Sequence, residues 1–221
     1  FPADARFYPS TQDFLTHFSE LTFEEEAILI KGARNFEFEH ISKLLVQKVH
    51  ETVLEINLNA LEHNLNYYKS QLKPDVGIMV MVKAFAYGSG SFEIANLLQF
   101  NRVEYLAVAY ADEGVALRQA GITLPIMVMS PDIMALDAII AHQLEPEIYS
   151  FRILKAVESA LKRHRRQNYP VHIKLDTGMK RLGFTSDDLP ELLEELKKSS
   201  SFKVMSVFSH LSSAEDPNED E

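Results

Sequence analysis

From Thr52 to His210 the chain repeats one pattern: apolar runs of six to eight residues, separated by longer amphipathic stretches. The runs are TVLEINL (52–58), GIMVMVK (77–83), EYLAVAY (104–110), PIMVMS (125–130), LEPEIYS (144–150), PVHIKLD (170–176) and KVMSVFSH (203–210). Runs this short suit strands, and apolar residues at three- and four-residue spacing between them suit helices. NALEHNLNYYKSQL, SFEIANLLQF, DEGVALRQAG, FRILKAVESALKRH and SDDLPELLEELKK are the helical stretches. Ser91 and Ser186 are placed to cap two of them, and Asp112 and Gly121 to open and close a third. Strand and helix in alternation predict parallel pairing with helices outside. The expected fold is therefore an α/β barrel of the (β/α)8 TIM type. A complete one takes eight strands and roughly 250 residues, whereas seven runs fill the 170 residues from 52 to 221, so the barrel is expected to be incomplete. An open doubly wound sheet is the alternative, but no G-x-G-x-x-G follows the first run.

Residues 1–49 read differently. Thr11 is placed to cap a short helix, QDFLTHFSEL; AILIKGAR (27–34) has the look of a buried strand; and FEHISKLLVQKV (38–49) has helical spacing. One strand and two helices are too few to bury a sizeable core. Two domains are thus expected, a short α/β segment over 1–49 and the barrel over 50–221.

Composition adds exclusions. The net charge is −10, which disfavours nucleic acid as a partner. No stretch reaches the roughly 18 apolar residues of a membrane span, and no signal peptide is recognised at the start. There is no cysteine, which removes disulfides and thiolate metal sites and suits a reducing, cytoplasmic setting. One basic run, Lys162 to Arg166, reads either as an anion or membrane patch or, more commonly, as a solvated helix end where cations meet the negative pole of the dipole. The chain opens on Phe1 and closes in SSAEDPNEDE, and it is expected to be part of a longer protein.

Chemistry concentrates at three run ends. IMVMVKAFAYGSG sets Lys83 after five apolar residues. Desolvation lowers a lysine pKa, and a neutral amine is a nucleophile that forms an imine with an aldehyde. Tyr87 offers a hydroxyl four residues on, and Gly88 and Gly90 permit close backbone approach to an anionic group. In PVHIKLDTGMKRLGF, Val171, Ile173 and Leu175 alternate with His172, Lys174 and Asp176, so the ionisable set shares one face. Such a set is expensive inside a barrel unless it is paired. The turn that follows brings Arg181 to the carboxyl end of the strand, where barrel enzymes place their sites. His210 ends the last run at the same level. No pair of histidines has zinc-ligand spacing, and no metal is expected.

MVKAFAYGSG, VHIKLDTGMKRLGF and FSHLSSAED, in this order, resemble the barrel domain of alanine racemases over about residues 52 to 216. The resemblance implies a pyridoxal 5'-phosphate enzyme that interconverts L- and D-alanine, a homodimer in its full-length form, supplying D-alanine for peptidoglycan. It implies that Lys83 is the Schiff-base lysine and one of two racemising bases, and that Tyr87 contacts the cofactor phosphate. Lys174 matches a lysine carboxylated in many members, Arg181 the arginine that pairs with it and orients substrate, and His210 a histidine beside the pyridine ring. The family's usual motif has asparagine where Phe85 stands and histidine where Ser89 stands, which puts the local hydrogen bonding in question. The second base, a tyrosine of a C-terminal β-domain, has no match here, so residues 1–221 alone are expected to be inactive. ILIKGARNFEFEHI is similar to the end of the Mur ligase that adds D-alanyl-D-alanine, an enzyme some bacteria carry fused ahead of a racemase. The competing expectations are a non-catalytic fragment and a different pyridoxal-phosphate barrel enzyme.

Overall fold

The computed structural model describes residues 5–23, 27–45, 55–87 and 90–212. The chain divides into two compact units, Phe1–Leu54 and Glu55–Glu221.

In the first unit, α1 (Thr11–Thr16) is capped by Ser10, whose hydroxyl accepts from the Asp13 N–H at 3.1 Å; Thr11, the expected cap, is instead the first helical residue. α2 spans Glu39–Leu45. The strand expected over 27–34 does not form: residues 27–33 are irregular. A strand is stabilised by a paired neighbour, and none lies among the described residues of this unit. None of those residues is buried. Tyr8, Phe14, Phe36 and Phe38 instead line an apolar hollow of about 620 Å³.

The second unit opens with α3 (Leu58–Gln71) rather than a strand. Residues 52–54 of the first expected run lie outside the described residues, and 55–57 are irregular. Asn57 explains the change, because its side chain accepts from the Ala60 N–H at 3.1 Å and starts the helix there. There follow β1 (Met79–Met81), the single turn α4 (Ala84–Tyr87), α5 (Ser91–Phe100), β2 (Tyr105–Val108), α6 (Ala111–Gln119) and β3 (Ile126–Val128). After these come α7 (Leu136–Ala141), β4 (Glu145–Ile148), α8 (Phe151–Arg163), β5 (Tyr169–Lys174), α9 (Leu189–Lys198) and β6 (Phe202–Phe208). The caps shift by one residue from expectation: Gly90 rather than Ser91 precedes α5, and α6 begins at Ala111 rather than Asp112. Thr185 rather than Ser186 caps the turn that leads into α9.

The six strands form one parallel sheet in the order β1-β2-β3-β4-β5-β6. This is the α/β architecture expected, with six strands among the described residues where about seven were anticipated, and without closure into a barrel among them. Leu106, Val108, Ile126, Val128, Ile148, Val171 and Ile173 are buried on one sheet face with helix residues Leu117, Ile139, Val157 and Leu161. β6 is the least covered strand, with Val204, Met205 and Val207 exposed. The basic run closes α8 as a solvated end: Lys162 pairs with Glu158 at 3.0 Å, and Arg163 and His164 pair with Asp137 at 2.9 and 2.8 Å.

Candidate active site

Parallel strands put all their carboxyl ends on one edge of the sheet, and the expected site residues follow those ends. The opposite sheet face from the helices carries a buried charged floor. β5 contributes His172 and Lys174, 1% and 4% exposed, and β4 contributes Glu145 and Glu147, 8% and 1% exposed. His172 Nε2 lies 2.9 Å from Glu145 Oε2, its Nδ1 lies 2.7 Å from Ser206 Oγ, and its ring stands edge-on to Tyr105. The pairing demanded by burial is therefore met for the histidine.

The next pair is looser. Lys174 Nζ lies 4.0 Å from Glu147 Oε1 and 4.7 Å from the centre of the Phe208 ring. Neither carboxyl oxygen of Glu147 has a hydrogen-bond partner. Burial pushes the Glu147 carboxyl up to about 7, against the pull of the Lys174 and Arg181 charges.

The turn after β5 is tightly specified. Asp176 Oδ1 accepts from the N–H groups of Gly178 and Lys180, both at 3.0 Å, which holds its carboxyl below the usual range. The chain then folds back: Phe184 N–H donates to the Lys174 carbonyl at 2.9 Å, and Asp176 N–H to the Phe184 carbonyl at 2.8 Å. The return needs Gly183, whose φ is +133° and whose Cβ, if present, would stand 2.5 Å from Asp176 N. Arg181 sits exposed on this turn. His210, also exposed, follows β6, the neighbouring strand. Lys174, Arg181 and His210 are thus brought to one corner of the sheet edge.

Lys83 lies at the same edge but follows β1, four strands from β5 in the sheet order. It is partly buried, two residues past the strand. Val82 N–H donates to the Ala107 carbonyl at 2.7 Å, and Ala84 N–H to Glu113 Oε1 at 2.6 Å, so the residues on both sides of Lys83 are tied to the next strand–helix unit. Tyr87 closes α4, but its side chain, together with Gly88, lies outside the described residues.

Glu145, Glu147 and Glu113 were not singled out from the sequence. The first two carried a signal, since they alternate with Pro146 and Ile148 as His172 and Lys174 alternate with Val171 and Ile173. Glu113 carried none beyond a helix start.

A parallel α/β sheet with lysine, arginine and histidine gathered at its strand ends has the layout of barrel enzymes that work at that edge. The sequence pattern of the alanine racemase N-terminal domain matches residues 56–221, and the chain belongs to that family. It is 39% identical over 178 residues to alanine racemase of Clostridium kluyveri, covering 78% of this chain and 44% of that protein. It is 37% identical over 175 residues to an amino-acid racemase of Enterococcus faecalis, covering 76% of this chain and 23% of that protein. Among solved structures, alanine racemase of Clostridium difficile superposes with a TM-score of 0.69 at 35% identity, over 75% of this chain and 45% of that one. The chain spans less than half the length of these relatives.

Proposed function

We propose that the protein containing these residues is a pyridoxal 5'-phosphate-dependent racemase that interconverts L- and D-alanine. The observation that carries the reading is the placement of Lys83 at the carboxyl end of β1, on the sheet edge that also bears Lys174, Arg181 and His210, in a chain of the alanine racemase family. The donor set suits the cofactor: an amine for its aldehyde, cations for its phosphate or the substrate carboxylate, and a backbone turn at Gly90 opening a ten-residue helix, α5. When bound, the cofactor supplies an electron sink for negative charge at the substrate Cα.

The chain's own groups do the rest. Lys83 holds the cofactor through its amine and carries a proton at Nζ to and from one face of Cα. Arg181 aligns the substrate carboxylate through its planar guanidinium. Lys174 sets the charge beneath it, Tyr87 serves the phosphate and His210 the ring. In the cell, the reading makes the protein a cytoplasmic homodimer that supplies D-alanine for peptidoglycan. It also makes residues 1–49 the end of a D-alanyl-D-alanine-adding ligase fused ahead of the racemase; the unit boundary after Leu54 and the family match starting at residue 56 support a separate origin for that segment.

The test is to add pyridoxal phosphate to the full-length protein, reduce with borohydride, and map the modified peptide. Label on Lys83, lost in Lys83→Ala together with alanine racemisation, is expected. Undiminished labelling and racemisation in Lys83→Ala would end the reading.

A further inference from the structure

We propose that Glu113 is a positioning residue for Lys83, an inference that rests on the reading of Lys83 as the cofactor-holding amine. A glutamate at the third position of a helix commonly reaches back to one N–H at the helix start. Glu113 does this, accepting from Tyr110 N–H at 3.0 Å through Oε2. The same oxygen accepts from Ala109 N–H at 2.8 Å, just past the end of β2. Its other oxygen leaves the helix altogether and takes the N–H of Ala84 at 2.6 Å, 29 residues earlier in the chain. One carboxyl group therefore joins the end of β1, the end of β2 and the start of α6.

The peptide it grips is the one that follows Lys83. Ala84 has φ +50°, a conformation that alanine adopts only when its surroundings impose it, and Ala86 repeats it at +51°. The ladder bond from Val82 N–H to Ala107 holds the residue before Lys83, through the Met81–Val82 peptide. With both neighbours anchored, the Cα–Cβ direction of Lys83 is set by rigid strand ends rather than by the loop that follows. An amine that must meet a carbonyl carbon gains from such placement, because small misalignments of a reacting group are costly. An ordinary capping glutamate would leave Ala84 to solvent; Glu113 commits half of its acceptor capacity to it.

Glu113→Ala and Glu113→Gln in the full-length protein test this. The readouts are circular dichroism, hydrogen exchange at the Ala84 amide without cofactor, and the pyridoxal phosphate concentration that half-saturates the visible absorbance of the lysine-bound form. In Glu113→Ala, the fold is expected to be retained, Ala84 exchange to quicken by about tenfold or more, and cofactor affinity to fall about tenfold, the scale of one or two lost charge-assisted bonds. Glu113→Gln, with a single acceptor oxygen, is expected to fall between the parent and Glu113→Ala. Parental exchange and affinity in a folded Glu113→Ala protein would overturn the proposal. Should that variant unfold, Glu113→Gln and the parent decide: parental affinity in Glu113→Gln, or an Ala84 amide that exchanges in the parent as fast as an open loop, would overturn it equally. A parent that takes up no cofactor would instead remove the racemase reading, while Ala84 exchange would still judge the clamp.

Discussion

Single residues carry the sharpest consequences. Gly183→Ala forces a Cβ to within 2.5 Å of Asp176 N and 2.6 Å of the Leu175 carbonyl carbon at a backbone angle that favours glycine. A loss of about 2 kcal/mol in denaturant-derived stability is expected, with the Arg181 turn displaced. Glu147 makes stability depend on pH. Its folded value of about 7 stands above the ordinary 4.5, so between these the folded protein keeps a proton that the unfolded chain has released. Its contribution is therefore most favourable at or below pH 4.5, is lost as pH rises through about 7, and then levels, a span on the order of 3 kcal/mol. Denaturant midpoints measured across that window for the parent and Glu147→Gln should lie close together at its lower end, where both side chains are neutral, and part toward its upper end as the parent alone loses stability, because the glutamine neither binds nor releases a proton. The same glutamate bears on Lys174. Carboxylation would turn that cation into an anion beside a carboxyl already 4.0 Å away. Native mass spectrometry in bicarbonate buffer is expected to find Lys174 unmodified, the Glu147 carboxyl standing where the added group would otherwise serve.

At the scale of elements, the strands from β1 to β6 were legible because each is a short apolar run bounded by helix-forming sequence, and every one falls within its expected run give or take a residue. Two expected strands are missing among the described residues, for separate reasons, with residues 52–54 of the second lying outside those residues. Residues 27–33 had the composition but no partner strand among the described residues. The run at 52–58 contained a helix start that its apolar residues disguised, and Asn57 decides it. The site divides in the same way. Alternation along β5 exposed His172 and Lys174 as an inward-facing pair, but their partners on β4 became identifiable only once strand pairing set Glu147 against His172. Glu113 was out of reach because its distinctive bond runs to a main-chain group 29 residues distant, which no local pattern encodes. At the basic end of α8, Lys162 is engaged with Glu158 and Arg163 with Asp137. Replacing Arg163 with alanine should accordingly leave the binding of polyanions such as heparin, measured by retention at low salt, at the parental level.

For the whole molecule, the two units invite a simple deletion. Since no described residue of the first unit is buried, and the family match begins at residue 56, removing residues 1–54 should leave the melting transition and far-ultraviolet spectrum of the remainder close to those of the same region in the longer chain. Loss of the cooperative transition would show that the second unit depends on the first. Within the second unit, support for the chemistry is uneven. β4 and β5 are walled in by the core, while β6, which leads directly to His210, leaves Val204 at 40%, Met205 at 41% and Val207 at 59% exposure. Among the described residues His210 therefore follows the least covered strand, and on the proposed reading its placement depends on what packs against Val204 and Val207 in the full-length protein.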